Sequence, residues 1–303
     1  MRETVQMNTL CVRSSRQAGQ QTGEGLQHKD EKWIRFLYGH VTGRILLQFI
    51  MKSGMLKLIG RFLGTRASRP LIRYYINRHR IDMRDFEGQT YNTFQEFFAR
   101  KRKGCPMDMD ENHLISPCDG LLSVYPIQEN RIYPIKGSHY KLEDLVDEAA
   151  LAQLFESGVC LIFRLRATDY HHFCHIDEGF QYTNHFIEGA LHSVQPEACE
   201  RVPVYRLNRR MWTLTDTKHF GKVIQIGVGA FLVGEIVFET SCSEFKRGQE
   251  MGHFELAGST IVMLFQKDRI RLREQIREQM ETGEEVGVRM GEMIGYTEVR
   301  EIG

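Results

Sequence analysis

The spacing of hydrophobic and polar positions changes once along this chain. Residues 44–63 read Arg-Ile-Leu-Leu-Gln-Phe-Ile-Met-Lys-Ser-Gly-Met-Leu-Lys-Leu-Ile-Gly-Arg-Phe-Leu, with Gln48, Lys52, Lys57 and Arg61 at helical spacing. The spacing predicts a helix with a narrow polar stripe and a wide apolar face. The same helical texture extends from Trp33 to about Phe98, where Arg66, Arg69, Arg73, Arg78 and Arg80 add positive charge. From about Lys103 the chain turns to short runs rich in Val, Ile, Leu and aromatics, bounded by Gly, Asp and Asn. These predict strands over 121–127, 159–165, 222–228, 231–239 and 260–265. Helices are expected over 145–155 and 269–280. The fold class that follows is α+β, a helical N-terminal region followed by a mostly antiparallel sheet. Residues 1–30, rich in Gln, Gly, Ser, Thr and charge, read as a disordered leader. The expected divisions are 1–30, a helical region 31–104 and a sheet domain 105–303.

A wide apolar face beside a basic stripe suits a helix lying in a lipid interface, and equally a helix buried in a helical subdomain. No apolar run reaches the roughly 18–20 residues of a spanning helix. Met1 to Leu10 carry no apolar run behind a basic start, so no secretory signal is expected. The composition, 42% hydrophobic and 26% charged over 303 residues, allows one large domain or two modest ones. The net charge of +1 gives no whole-molecule attraction to nucleic acid. Cysteines 11, 105, 118, 160, 174, 199 and 242 are odd in number and form no C-x-x-C pair. That suits a reducing, intracellular compartment better than a disulfide framework.

Three clusters can carry chemistry. Ser116-Pro117-Cys118-Asp119-Gly120 precedes a strand and by itself is a common turn. Asp169-Tyr170-His171-His172-Phe173-Cys174-His175-Ile176-Asp177 gathers three histidines within five residues. His171 and His175 can serve as general bases; with no matched Cys/His group elsewhere, no metal is expected there. Gly258-Ser259-Thr260, between two strand-like runs, reads locally as a hairpin turn. Together the clusters offer an Asp, a His and a Ser preceded by Gly. One function from that set is a serine hydrolase, although Gly258-Ser259-Thr260 is not the G-x-S-x-G elbow. The other is attack by Ser259 on the Gly258 carbonyl. Glycine tolerates the strained backbone that such an attack requires. The ester so formed can eliminate and hydrolyse to a pyruvoyl group, whose carbonyl forms an imine with an amine substrate and accepts electrons as CO₂ leaves.

In this respect the chain resembles the phosphatidylserine decarboxylase proenzymes, from about Trp33 to Gly295. Thr93-Phe94-Gln95-Glu96-Phe97-Phe98-Ala99-Arg100-Lys101 is similar to that family's F-x-x-F-F-x-R-K block. Leu114-Ile115-Ser116-Pro117-Cys118-Asp119-Gly120 resembles its S/P-x-D-G block, and Ile135-Lys136-Gly137 with Tyr140 and Leu145 its I-K-G segment. Asp169-Tyr170-His171, Gly258-Ser259-Thr260 and Arg289-Met290-Gly291-Glu292-Met293-Ile294-Gly295 follow in family order.

The resemblance implies a pyruvoyl-dependent enzyme, cut between Gly258 and Ser259, that converts phosphatidylserine to phosphatidylethanolamine and CO₂ through a Schiff base. Ser259 is then the pyruvoyl precursor, and Asp119 with His171 first, or His175 second, activates it. Many family members carry a second histidine three residues after the first, where this chain has Cys174. A thiol, with an unperturbed pKa of about 8.5, is a poor substitute for an imidazole base. The resemblance further implies that the large chain 1–258 and small chain 259–303 stay associated, and that no diffusible cofactor is needed. It favours the interfacial reading of 33–80, with peripheral attachment to the cytoplasmic face of a membrane. It leaves open a homo-oligomer, and the alternatives of another amino-acid substrate or a hydrolase that never cleaves itself.

Overall fold

The computed structural model describes residues 33–52, 54–86, 90–128, 131–135, 138–166, 168–230, 235–256 and 259–298. The leader expected over 1–30 and Gly258 lie outside the described residues. The chain divides into two compact units, 1–49 and 50–303. What is described of the first unit is helical: residues 33–39 and the start of the helix Val41–Lys52. Val41, Ile45 and Phe49, four residues apart, share one face and are each more than 60% exposed.

The second unit begins with helices and continues as a sheet protein. The run over 44–63 is not one helix: Val41–Lys52 and Met55–Leu63 are separated at Gly54, which takes the left-handed conformation (φ 71°) that ends a helical run. Arg69–His79 and the short Phe94–Phe98 follow. Thr93 caps the latter, its side chain accepting from the Glu96 amide. Leu63, Ile72, Phe94, Phe97, Phe98 and Leu256 form a small apolar core of their own.

The strands among the described residues are, in chain order, β1 His113–Ile115, β2 Gly120–Gln128, β3 Arg131–Ile135, β4 Ser138–Lys141, β5 Val159–Leu165 and β6 His172–Cys174. Then come β7 Gly179–Gln181, β8 His185–Ile187, β9 Arg210–Thr217, β10 Gly221–Gly229, β11 Ile236–Phe238 and β12 Ser243–Phe245. The last are β13 Glu250–Phe254, β14 Ser259–Phe265, β15 Ile270–Leu272, β16 Val286–Val288 and β17 Met293–Thr297. The main sheet runs β12-β7-β9-β10-β14-β5-β2-β3-β4, with β16 on β2 and β8 on β9. Two small sheets, β1-β17-β15 and β11-β13-β6, complete the fold. All pairings between these strands are antiparallel, so the α+β expectation holds.

β14 lies between β10 and β5, and all seven of its side chains are buried. Its sequence, Ser-Thr-Ile-Val-Met-Leu-Phe, lacks the polar alternation of a solvent-facing strand because both faces are covered. Three local expectations change. The helix over 145–155 is two, Leu142–Val146 and Ala149–Gln153, broken where Asp147 turns left-handed (φ 54°). The helix over 269–280 starts only at Glu274; Ile270 and Leu272 are buried around an exposed Arg271, which is strand periodicity. The hairpin at Gly258-Ser259-Thr260 is absent too, because β13 and β14 pair in different sheets.

Candidate active site

Ser259 opens β14, facing Gly229 of β10 on one side and Leu165 of β5 on the other. Its side chain is fully buried. The Oγ lies 3.1 Å from Nδ1 of His171, a residue that immediately precedes β6. The other ring nitrogen of His171, Nε2, is 3.1 Å from the Arg166 carbonyl. A carbonyl only accepts, so Nε2 carries the proton and Nδ1 presents its lone pair to the serine hydroxyl. Burial, and after it the positive charge of Arg100, pull the His171 pKa down to about 3, so the ring is neutral near pH 7.

The turn before His171 is built by Asp169. Its carboxylate accepts from the Arg166 amide at 2.8 Å and from the Arg166 guanidinium at 2.8 Å. That lock aims the Arg166 carbonyl at His171. Phe98 packs against the ring, its centroid 4.3 Å from that of His171.

Asp119 sits on the Ser-Pro-Cys-Asp-Gly turn. Gly120 is required next to it, since a Cβ there would come within 2.9 Å of the Arg164 carbonyl oxygen. The Asp119 carboxylate is held by both terminal nitrogens of Arg102, at 3.1 and 2.5 Å, and by the Met290 amide at 3.0 Å. Ser116 exchanges backbone hydrogen bonds with Gly291 and Glu292. The closing Met-Gly-Glu segment therefore docks on the Asp119 turn, which is why two motifs far apart in sequence meet. Among the described residues no hydrogen bond joins Asp119 to His171; its negative charge acts on the ring through space, favouring the protonated form.

The other members of the cluster go elsewhere. His175 stacks on Phe245 (centroids 3.9 Å apart, planes 6° apart) and contacts Thr240 Oγ1 at 3.4 Å. Burial lowers its pKa to about 3. His172 bonds Glu250 at 2.7 Å and the Ala99 carbonyl at 3.0 Å, and its ring lies between Tyr170 and His253. His172, Glu250 and His253 place one ligand-type atom each within 4.8 Å of the others, and His172 spends both nitrogens on the protein contacts just given. Cys174 is buried and its thiol is pushed up to about 12, so it supplies no thiolate near pH 7. Its amide donates to the Pro117 carbonyl at 2.9 Å, placing position 174 against the Asp119 turn. The site residues missing from the sequence reading are Arg102 and Arg166. Arg102 follows Arg100-Lys101 in a basic run that gave a charge signal; Arg166 acts through its backbone, which leaves no signal.

An antiparallel sheet that encloses a buried serine, hydrogen-bonded to a neutral histidine, defines an α+β protein with a serine–histidine pair at a strand start. The family model described as phosphatidylserine decarboxylase matches residues 94–296. The chain is 39% identical over 267 residues to phosphatidylserine decarboxylase proenzyme 2 of Clostridium acetobutylicum, covering 87% of this chain and 91% of that protein. It is 38% identical over 272 residues to a phosphatidylserine decarboxylase proenzyme of Clostridium perfringens (87% and 92% covered). The figure is again 38%, over 273 residues, for that of Clostridium kluyveri (88% and 92% covered). This chain belongs to the phosphatidylserine decarboxylase family. Among the described residues no helix is long and apolar enough to cross a membrane.

Proposed function

We propose that this protein is a self-processing phosphatidylserine decarboxylase, cut between Gly258 and Ser259, with the reaction carried by residues 105–303. The observation that best supports the reading is the contact between His171 Nδ1 and Ser259 Oγ at a fully buried position. A serine buried in the uncut chain has its own backbone beside it, which suits attack on the preceding carbonyl before any substrate enters. His171 takes the hydroxyl proton as Oγ attacks the preceding carbonyl, and Asp119 favours the imidazolium through space. A base with a pKa of about 3 is weak, but processing happens once per molecule and tolerates a slow step.

The pyruvoyl group that Ser259 becomes supplies the electron sink for loss of CO₂. The surroundings fit it: the position is buried, and His171 is within hydrogen-bond reach to hold or return a proton. The small chain, 259–303, has reason to stay attached. β14 pairs over seven residues with both β10 and β5, β16 pairs with β2, β17 pairs with β1, and Met290 holds Asp119.

Residues 31–104 are the membrane-facing part, which makes the protein peripheral, on the cytoplasmic face. The exposed apolar face of Val41, Ile45 and Phe49 supports this. Intact mass of the purified protein, with an assay on phosphatidylserine vesicles, tests the whole reading. A small chain starting with pyruvoyl and release of CO₂ are expected; an uncleaved chain that is active on phosphatidylserine, or on esters, would overturn it.

A further inference from the structure

Arg100 is only 2% exposed, yet among the described residues no carboxylate pairs with it. Arg164, another buried arginine, is held by Glu285, and Arg210 is held by backbone carbonyls of Leu145, Arg206, Asn208 and Asp144. Arg100 has only long contacts from Nη1 to the carbonyls of Phe97 (3.3 Å) and Phe98 (3.5 Å). Among the described residues its Nε and Nη2, both buried, have no hydrogen-bond partner. The guanidinium lies over two aromatic faces, Phe86 at 4.5 Å and Phe97 at 4.7 Å. Burial lowers its pKa, but a guanidinium starts so high that it stays charged. A charge taken out of water is costly unless an anion meets it. Two unused donors on such a group mark a place prepared for one.

The place adjoins the reactive pair. Phe98, two residues before Arg100, packs on the His171 ring, and His171 holds Ser259. On the other side, Phe97 touches Tyr91 (centroids 5.7 Å apart). Tyr91 lines a groove of about 610 Å³ with Ile72 and Ile76 among its walls; Arg69 and Arg73 add positive charge, while Arg84 is paired with Asp82. The groove is therefore basic and apolar at once, and it approaches the stack that carries Arg100.

We propose that Arg100 is the receptor for the phosphodiester of the lipid substrate, and that this groove admits the lipid's glycerol and acyl portion. The inference rests on the decarboxylase reading above. A guanidinium fork matches two phosphate oxygens in one plane. The substrate carboxylate is the wrong partner: it loses its charge as CO₂ departs, so a cation on it would stabilise the ground state more than the transition state. The phosphodiester keeps its charge throughout. Arg100 then contributes equally to ground and transition states, which acts on KM rather than kcat.

The test uses soluble short-chain phosphatidylserine and its methyl phosphotriester, in which the phosphate is neutral. Wild-type protein should show a KM at least tenfold higher for the triester, with kcat within about threefold. Arg100→Gln should raise KM for the diester about tenfold and erase the difference between the two, with Arg100→Lys intermediate. Equal KM values for the two esters in wild type would overturn the proposal, as would an Arg100→Gln protein that keeps the discrimination or loses kcat alone. If the variants stay uncleaved, the wild-type comparison decides by itself. Wild-type protein that decarboxylates neither ester would sink the decarboxylase reading, and this inference with it.

Discussion

His171 Nδ1 and Ser259 Oγ meet at 3.1 Å across 88 residues of sequence, at a point closed to solvent. The direction of the proton in that contact is set from behind, by the Arg166 carbonyl on Nε2. Every expectation about processing follows from this arrangement.

Ser259→Ala should leave one chain of 35.3 kDa, inactive on phosphatidylserine, because the attacking oxygen is gone. His171→Gln keeps a polar group but removes the base, so cleavage should slow by about 10²–10⁴-fold. Intact mass against time reads both. Cleavage of His171→Gln at the wild-type rate would remove His171 from the mechanism.

His175→Ala separates the two candidate bases. Because that ring stacks on Phe245 and contacts Thr240, cleavage should proceed normally while the fold loses about 2–3 kcal/mol from the cavity. Urea unfolding and mass on the same preparation check it; blocked cleavage in a stable fold would reverse the assignment.

Asp119→Asn leaves Arg102 without its bidentate partner and should cost about 3 kcal/mol of stability. Adding Arg102→Gln should cost less than the sum of the single changes by about 1 kcal/mol or more, since the pair is in direct contact. Cleavage in Asp119→Asn should fall less than in His171→Gln, because the carboxylate reaches the imidazole only through space.

Acid should destabilise the fold from about pH 6.5 downward. His171 and His175 have folded pKa values of about 3, below the unfolded value of 6.5, chiefly through burial. Between those limits the unfolded chain binds protons that the folded chain refuses, so stability rises with pH and is lost as pH falls. Glu250, lowered to about 2 mainly by its hydrogen bond to His172, adds the same sign below its ordinary 4.5. Each group contributes a slope of about 1.4 kcal/mol per pH unit within its window. Urea midpoints of the uncleaved Ser259→Ala chain at pH 7.5, 6.5 and 5.5 measure the slope, and His175→Phe should reduce it by one proton.

Much of the sheet was legible because buried β-branched runs have few alternatives. Residues 121–127, 159–165, 222–228 and 260–265 all lie in strands, to within a residue or two at the ends. Helix boundaries were less legible: the breaks at Gly54 and Asp147 depend on single left-handed residues, which a periodic pattern reads through. Of the run over 231–239, only Ile236–Phe238 is a strand among the described residues.

The sequence by itself determined the candidate residue types and their order: a turn with Asp119, a histidine cluster after a strand, and Ser259 after Gly258. It left His171 and His175 as rivals, since both are imidazoles within one short cluster. Only the tertiary structure separated them. Four residues of extended chain span roughly 13 Å, so one side chain of the pair can reach Ser259 while the other faces a different wall. It also decided that Asp119 is tied to Arg102 and Met290 rather than to a histidine. Those partners lie 17 residues before Asp119 and 171 after it, and no local spacing records a contact that only folding makes.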